Sequence, residues 1–263
     1  MPVHVNPDWW KTLFDELYLL TDSRSVMDPE VTRREIELVC ELLPIKPGQR
    51  LLDLCGGHGR HSLELARQRQ VQCTVFDYSS VLLEKGRKNA GEAGLELEFV
   101  QGDARSTGLP EAHFDHVLIM GNSLGYLMDR EADLEILSEA WRVLCSGGWL
   151  LVDVTDGRAV RNEFRPRSWH EVEPGLVVCR ERELMDGRVN ARELVICKER
   201  GLIRDCTYSI KLYEPEELAA LLKEAGFERV KVHTRFSPHS RQGDYGFMNQ
   251  RMIAVGCKPE KED

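Results

Sequence analysis

The sequence lacks long apolar runs, basic clusters, internal repeats and low-complexity segments. Its apolar runs fall far short of the ~20 residues that a membrane-spanning helix needs, so we expect no membrane association. The first eleven residues lack a basic region followed by an apolar stretch, so we expect no signal peptide and a cytoplasmic location. The formal net charge of −9 disfavours nucleic acid as a partner, because phosphates would be repelled.

Paired cysteines are also absent, since none of the eight lies in a Cys-x-x-Cys pair. Cys73 and Cys197 lie in apolar, strand-like segments, and free thiols in a reducing compartment are the simplest interpretation. His58 and His61 flank a glycine loop without a further ligand cluster, so we expect no metal site. The 263 residues are 42% hydrophobic and 30% charged, which is typical of a folded globular protein.

Strand-like and helix-like segments alternate through the first half of the chain, which predicts a doubly wound α/β fold. Two helices come first: one presents the apolar face of residues 10–18 with Asp8 as its cap, and the other begins at Asp28-Pro29. Helices capped by Ser79 or Ser80 and by Asp129 separate later strands. The strands predicted in this region are 50–54, 71–76, 95–100, 114–120 and 149–154.

The alternation stops after the fifth strand. Residues 177–212 carry strand signals without helices, and Asp186-Gly187 and Arg200-Gly201 are typical hairpin turns. A three-stranded antiparallel meander is therefore predicted, and a helix from Pro215 and two last strands follow it. We expect a mostly parallel, seven-stranded sheet, divided into a helical cap (1–45), a core (46–157 and 213–263) and an inserted β lid (158–212).

Carboxylates follow three of the predicted strands. The first strand runs into Asp53-Leu54-Cys55-Gly56-Gly57-His58-Gly59, the second ends at Asp77, and Asp103 lies just after the third. Because the carboxyl ends of parallel strands line the ligand crevice, these acids are predicted to face one site. The glycines permit a sharp turn and the close approach of a ligand. Asp77 can accept hydrogen bonds from both hydroxyls of a ribose, and Asp103 can accept one from an adenine amino group.

A dinucleotide site is the first alternative for this loop. The spacing gives Gly57-x-Gly59-x-x-Ser62, so the third glycine of the dinucleotide pattern is missing. Asp53 would also repel a pyrophosphate, whereas it would attract an ammonium or a sulfonium group. A nicotinamide-dependent oxidoreductase is therefore the weaker interpretation.

The ordered set resembles the class I S-adenosylmethionine-dependent methyltransferases, closely over residues 46–156. The family's closing helix and strand pair resemble residues 214–257. The resemblance implies a Rossmann-like methyltransferase fold, S-adenosylmethionine as cofactor and methyl transfer to a small-molecule metabolite. The Trp9-Trp10 segment and the Gly-Arg-His after the loop are similar to small-molecule methyltransferases in particular.

Family positions carry over residue by residue. The glycine motif corresponds to the loop above, with Cys55 where many members have glycine, and the ribose and adenine acids correspond to Asp77 and Asp103. The segment after the fourth strand reads Gly121-Asn122-Ser123-Leu124, unlike the Asn/Asp-Pro-Pro-Tyr of nucleic-acid adenine methyltransferases. The cofactor-binding residues that the resemblance implies are Tyr18, Asp53, Gly57, Gly59, Asp77, Tyr78, Asp103, Ala104, Met120 and Asn122.

The methyl acceptor leaves a weaker signature, because a base is needed only when the accepting atom arrives protonated. His170, Tyr213 and His239 are the candidate proton acceptors, and a structural role is the alternative for each. A methyltransferase-like binding module without turnover also stays open. The half-apolar face of the meander predicts a possible homodimer as well as a pocket roof.

Overall fold

The computed structural model describes residues 2–239 and 246–260. Two β-sheets and the helices around the larger one organise these residues. Along the chain, the strands are β1 (Arg50–Leu54), β2 (Gln72–Asp77), β3 (Glu98–Gln101), β4 (Phe114–Ile119), β5 (Leu144–Thr155), β6 (Arg167–Glu173), β7 (Leu176–Met185), β8 (Arg188–Cys197), β9 (Gly201–Lys211), β10 (Glu228–Phe236) and β11 (Arg251–Cys257). The helices are α1 (Glu16–Thr21), α2 (Ser23–Val26), α3 (Pro29–Leu42), α4 (Arg60–Arg69), α5 (Ser80–Ala93), α6 (Arg130–Val143), α7 (Gly157–Asn162) and α8 (Pro215–Glu224).

The larger sheet has seven strands in the order β10-β11-β5-β4-β1-β2-β3. Strands β1 to β5 pair with one another in parallel, whereas β11 runs antiparallel to both of its neighbours, β5 and β10. This confirms the predicted doubly wound, mostly parallel sheet. The chain reverses its direction of winding between β1 and β4, so the loops after these two strands lie side by side at the switch point.

Apolar packing on both faces holds this sheet in place. On one face α3 and α4 bury Ile36, Val39 and Leu65 against it, and on the other α6 and α8 bury Leu137 and Leu218. Several predicted helix starts are confirmed by their caps: side-chain oxygens of Asp28, Ser79 and Asp129 accept backbone N–H groups of the first turn.

The inserted sheet has four antiparallel strands, so the prediction of three was wrong. Strand β6 pairs with β7 and precedes the segment that carries the apolar alternation. Its largest apolar side chain, Trp169, is 73% exposed, so β6 has no buried apolar face whose alternation would have predicted a strand. The hairpin turn at Asp186-Gly187 is confirmed, with φ of +51° and +72° as a two-residue turn requires.

The N-terminal segment also differs from its prediction. A 3-10 turn at Trp9–Lys11 and the separate helix α1 replace one continuous helix, and Asp15, not Asp8, caps α1 by accepting the N–H of Tyr18. The Trp9 ring packs edge-on against Tyr126, with 5.1 Å between ring centroids. Tertiary packing of the aromatic side chains therefore outweighs the local helical pattern.

All eight cysteines are free, as predicted. Within residues 2–239 and 246–260, none of the helices combines the length and apolar character that crossing a bilayer requires.

Candidate functional site

A cavity opens at the carboxyl edge of the parallel strands, beside the switch point. The loops after β1, β2, β3 and β4 form its floor. Residues 9–26 and the inner face of β7, β8 and β9 form its remaining walls. The cavity therefore has one side built by the parallel sheet and another built by the N-terminal segment and the antiparallel sheet.

The loop after β1 turns through three left-handed residues, Cys55, Gly57 and Gly59, with φ of +61°, +57° and +70°. Cys55 adopts a left-handed conformation that glycine reaches at lower cost. At Gly56 a Cβ atom would lie 2.6 Å from the Asp53 Cγ, so that position admits no side chain. The turn exposes backbone N–H groups at the N-terminus of α4.

Asp77 joins the ends of β1 and β2. Its Oδ2 accepts the Gly57 N–H and its Oδ1 accepts the Ser79 N–H, both at 2.8 Å. Each oxygen keeps capacity for a further hydrogen bond, so the carboxylate can bind a pair of ligand hydroxyls. Burial raises the pKa of Asp77 to about 6. Tyr78 follows it in the cavity wall and meets Trp10 edge-on, with 4.7 Å between ring centroids.

Asp103 and Ala104 line the cavity after β3. Arg105 binds the Asp103 carboxylate through two nitrogens, with Nη2–Oδ2 at 2.6 Å and Nε–Oδ1 at 3.0 Å. This hydrogen bonding lowers the pKa of Asp103. The Arg105 guanidinium also lies 6.0 Å from the centre of the Trp10 ring. The sequence motif did not indicate this arginine.

Asp53 and Gly59 lie beneath the loop and not in the cavity wall. Asp53 is fully buried and accepts a hydrogen bond from the Ser62 hydroxyl at 2.8 Å, and burial raises its pKa. Gly59 is the N-cap of α4, and a Cβ there would lie 3.0 Å from Val75 Cγ2. In this structure both residues hold the shape of the loop, and other residues of the loop line the cavity.

Met120 and Asn122 line the cavity after β4. Gly121 and Asn122 have φ of +67° and +65°. The Asn122 side-chain oxygen accepts the Thr155 N–H at 2.8 Å, so this amide ties the loop to β5. The Gly121 N–H is in turn donated to Asp153 at 2.9 Å.

A buried ionic network supports that loop from below. Arg251 pairs with Asp153 at 2.9 Å and also with Glu35, and all three side chains are fully buried. Arg60 and His61 bind the same Glu35 carboxylate. Although burial opposes ionisation, the guanidinium groups of Arg60 and Arg251 hold the pKa of Glu35 well below its usual range. The network connects α3, α4, β5 and β11 to the Gly121 N–H.

Aromatic rings close the cavity on the side of the N-terminal segment. Phe14 stacks on Tyr126 with 5.5 Å between centroids, and Tyr18 meets Phe14 edge-on at 5.0 Å. Trp9 lies 5.9 Å from Tyr208 of β9. Tyr18 is half-buried and lines the cavity, and the loss of contact with solvent raises the pKa of its phenol.

The antiparallel sheet contributes buried charges that sequence reasoning missed. Arg180 donates to Glu193 at 2.7 Å and to Asp22 of the N-terminal segment at 2.9 Å. Arg182 and Tyr208 line the same wall. The sequence did contain one signal for this wall. Arg180 and Arg182 lie two and four residues after a buried valine, and alternate residues of a strand share a face, so both arginines lie on the buried face.

The three candidate proton acceptors lie outside the cavity wall. His170 Nε2 lies 3.4 Å from the Thr21 carbonyl oxygen, and the buried Tyr213 hydroxyl donates to Asp133. Burial lowers the pKa of His239 to about 4. Among the described residues, no group of three or more His, Cys, Asp or Glu side chains is arranged to hold a metal ion.

The fold and this cavity define an α/β domain with a cavity at the switch point of its sheet, the place where such folds bind ligands. Residues 51–148 match the family described as methyltransferase domain. Residues 51–148 are therefore similar to a methyltransferase domain, which agrees with the resemblance found in the sequence.

Curated proteins that are similar to this chain include named methyltransferases. A ubiquinone/menaquinone biosynthesis C-methyltransferase from a Ruegeria species is 35% identical over 130 residues, which are 48% of this chain and 50% of that protein. The 27-O-demethylrifamycin SV methyltransferase of Amycolatopsis mediterranei is 30% identical over 49% of this chain and 47% of its own length. The alignments thus span about half the length of these relatives.

Solved structures show the same fold. An S-adenosylmethionine-dependent methyltransferase from Clostridium acetobutylicum superposes with a TM-score of 0.72 at 14% identity, covering 93% of this chain and 97% of that one. A sugar N-methyltransferase from a Streptoalloteichus species gives 0.69 at 20% identity, covering 99% of both chains.

Proposed function

We propose that this protein transfers a methyl group from S-adenosylmethionine to a small-molecule metabolite. The observation that carries the proposal is the composite cavity, in which the Asp77 carboxylate and the glycine loop face a second wall of aromatic and charged side chains. Two similar proteins, named a ubiquinone/menaquinone biosynthesis C-methyltransferase and a 27-O-demethylrifamycin SV methyltransferase, and a structural neighbour named a sugar N-methyltransferase support a small-molecule acceptor.

The floor of the cavity fits the cofactor. Asp77 would accept the ribose hydroxyls, and Asp103 with Ala104 would border the adenine. The loop at Gly57 and the ring of Tyr18 would enclose the amino-acid end. When bound, the cofactor supplies an already activated methyl group, so the protein's task is alignment and the exclusion of water.

The remaining walls fit the task of excluding water. We propose that residues 1–45 act as the cap, that 46–157 and 213–263 act as the cofactor-binding core, and that 158–212 act as the lid that selects the acceptor. Arg180, which bridges Asp22 and Glu193, supports this division because it ties the cap to the lid. A cytoplasmic location and roles for His170, Tyr213 and His239 remain predictions.

A homodimer through the outer face of the lid sheet also belongs to this proposal. Trp169, Ile196 and Leu202 are 73%, 40% and 57% exposed on β6, β8 and β9. Apolar surface of this kind favours association. Light scattering during size-exclusion chromatography would return twice the chain mass for a dimer and the chain mass if the proposal is wrong.

Two binding titrations and one transfer assay test the function. We expect S-adenosylhomocysteine to bind in calorimetry and NADH not to bind, and the reverse would favour the oxidoreductase. Incubation with labelled S-adenosylmethionine and a metabolite extract should yield a labelled small molecule, detected by mass spectrometry. Binding without any labelled product would favour the module without turnover.

A further inference from the structure

The acceptor side of the cavity has an unused hydrogen-bond donor. Trp9 is 5% exposed and lines the cavity, yet its indole Nε1–H has no hydrogen-bond acceptor among the described residues. A buried donor without an acceptor costs free energy, so a ligand that supplies an oxygen there gains affinity.

Two further donor groups stand on the sheet beside this indole. Strand register sets Arg182 of β7 opposite Ala191 of β8, and Ala191 opposite Tyr208 of β9. The small Ala191 side chain thus separates a guanidinium from a phenol on the inner face of the sheet, and Trp9 packs in the same cluster as Ala191 and Tyr208. Burial raises the pKa of Tyr208, so its hydroxyl is protonated at neutral pH and can donate.

The chemistry of this group is that of an anion site with an apolar neighbour. Arg182, Tyr208 and the Trp9 Nε1–H can all donate to oxygen, and the arginine adds a positive charge that remains at any physiological pH. The rings of Phe14 and Tyr126 continue the wall and offer a flat apolar surface. Two carboxylates, Asp22 and Glu193, also line the cavity, but both are paired with Arg180. An ammonium group would therefore meet the Arg182 guanidinium unfavourably, whereas a carboxylate is the acceptor that donors of this kind favour.

We propose that the methyl acceptor carries a carboxylate attached to a flat, apolar body, and that Arg182, Tyr208 and Trp9 hold this carboxylate. The inference rests on the proposed function, since it assigns the acceptor side of the same cavity. The carboxylate sets the orientation of the acceptor, and the flat body lies along the aromatic wall toward the cofactor side.

The test measures binding to the full chain saturated with S-adenosylhomocysteine, so no turnover is needed. Probes are matched acid and amide pairs: indole-3-acetate with indole-3-acetamide, and 4-aminobenzoate with 4-aminobenzamide. We expect an acid to bind at least about tenfold more tightly than its amide, because its hydrogen bonds are charge-assisted. Equal affinity of acid and amide, or no binding by any of the four probes, would overturn the inference.

Variants identify the residues responsible. Arg182→Gln should remove the preference for the acid. Tyr208→Phe, which keeps its ring, and Trp9→Phe, which replaces the indole by a phenyl ring and so removes the N–H donor, should reduce it. Arg192→Gln is the matched control, because Arg192 lies on the exposed outer face of the same sheet, paired with Asp205. An acid preference that survives Arg182→Gln, in a variant with unchanged thermal unfolding, contradicts the assignment.

The titration also separates this inference from the function on which it rests. Failure of the wild-type protein to bind S-adenosylhomocysteine would overturn the proposed function itself. Normal S-adenosylhomocysteine binding without an acid preference would overturn only the carboxylate site.

Discussion

The two sides of the cavity are built in different ways. The parallel-sheet side presents backbone groups and short side chains from consecutive strand ends, as at Gly57, Asp77 and Asn122. The lid side presents long side chains, such as Arg180 and Tyr208, from strands that meet only through pairing. A cofactor that many enzymes share can be bound by backbone groups of one turn geometry. A particular acceptor needs side chains that differ from one enzyme to another. This difference supports the proposal that the first side binds the cofactor and the second selects the acceptor.

The largest effect should come from the support beneath the parallel-sheet side. Arg251→Met removes the guanidinium from a fully buried network, so the buried Asp153 loses its ion-pair partner and Glu35 keeps only Arg60 and His61. Loss of one partner from a buried pair costs about 3–5 kcal/mol of the free energy of unfolding. Urea unfolding followed by circular dichroism measures it. Arg158→Met, at an exposed ion pair, is the control and should leave the unfolding midpoint nearly unchanged.

Asp77→Ala should have the next largest effect, on the dissociation constant of S-adenosylhomocysteine. Two charge-assisted hydrogen bonds to a ribose are worth about 1.5–3 kcal/mol each, so affinity should fall on the order of a hundredfold or more. Calorimetric titration of the folded variant measures the change. An unchanged dissociation constant would show that Asp77 is not part of the cofactor site and would contradict the proposal that the parallel-sheet side binds the cofactor.

The pH dependence of the same affinity should be smaller. Burial raises the pKa of Asp77 to about 6, and the ionised carboxylate is the better acceptor for ribose hydroxyls. Protonation as the pH falls from 7 to 5 should therefore weaken S-adenosylhomocysteine binding about tenfold. Asp77→Asn should bind more weakly and lose this pH dependence, and a variant that keeps the wild-type slope would assign the titration to another group.

The smallest effect should come from the contact between cap and lid. Asp22→Asn weakens the ion pair with Arg180, which keeps Glu193 as a partner. A partly exposed pair contributes up to about 1 kcal/mol, so S-adenosylhomocysteine should dissociate about two- to fivefold faster. Stopped-flow displacement measures the rate, and Asp8→Asn, at the exposed pair with Lys11 on the same segment, should not change it.

The sequence predicts the parallel-sheet side of the cavity better than the lid side, because the two sides are built in different ways. The glycine loop and Asp77 are local signals, because a turn and a strand end are encoded within a few residues. The Arg180–Glu193 pair depends on strand register, which local sequence does not encode. Strand β6 pairs with β7, but its Trp169 is exposed, so its sequence shows no apolar face that would predict the pairing. The Trp9 segment failed as a helix because its partners, Tyr126 and Tyr208, lie far away in the sequence.

Hydrogen–deuterium exchange with and without S-adenosylhomocysteine tests the division of the cavity most directly. We predict that the ligand slows amide exchange at residues 55–59 and 77–80 and in the cap, and leaves the strands 176–211 unchanged. Protection confined to those lid strands, or no protection at the loop after β1, would contradict the assignment of the cofactor to the parallel-sheet side.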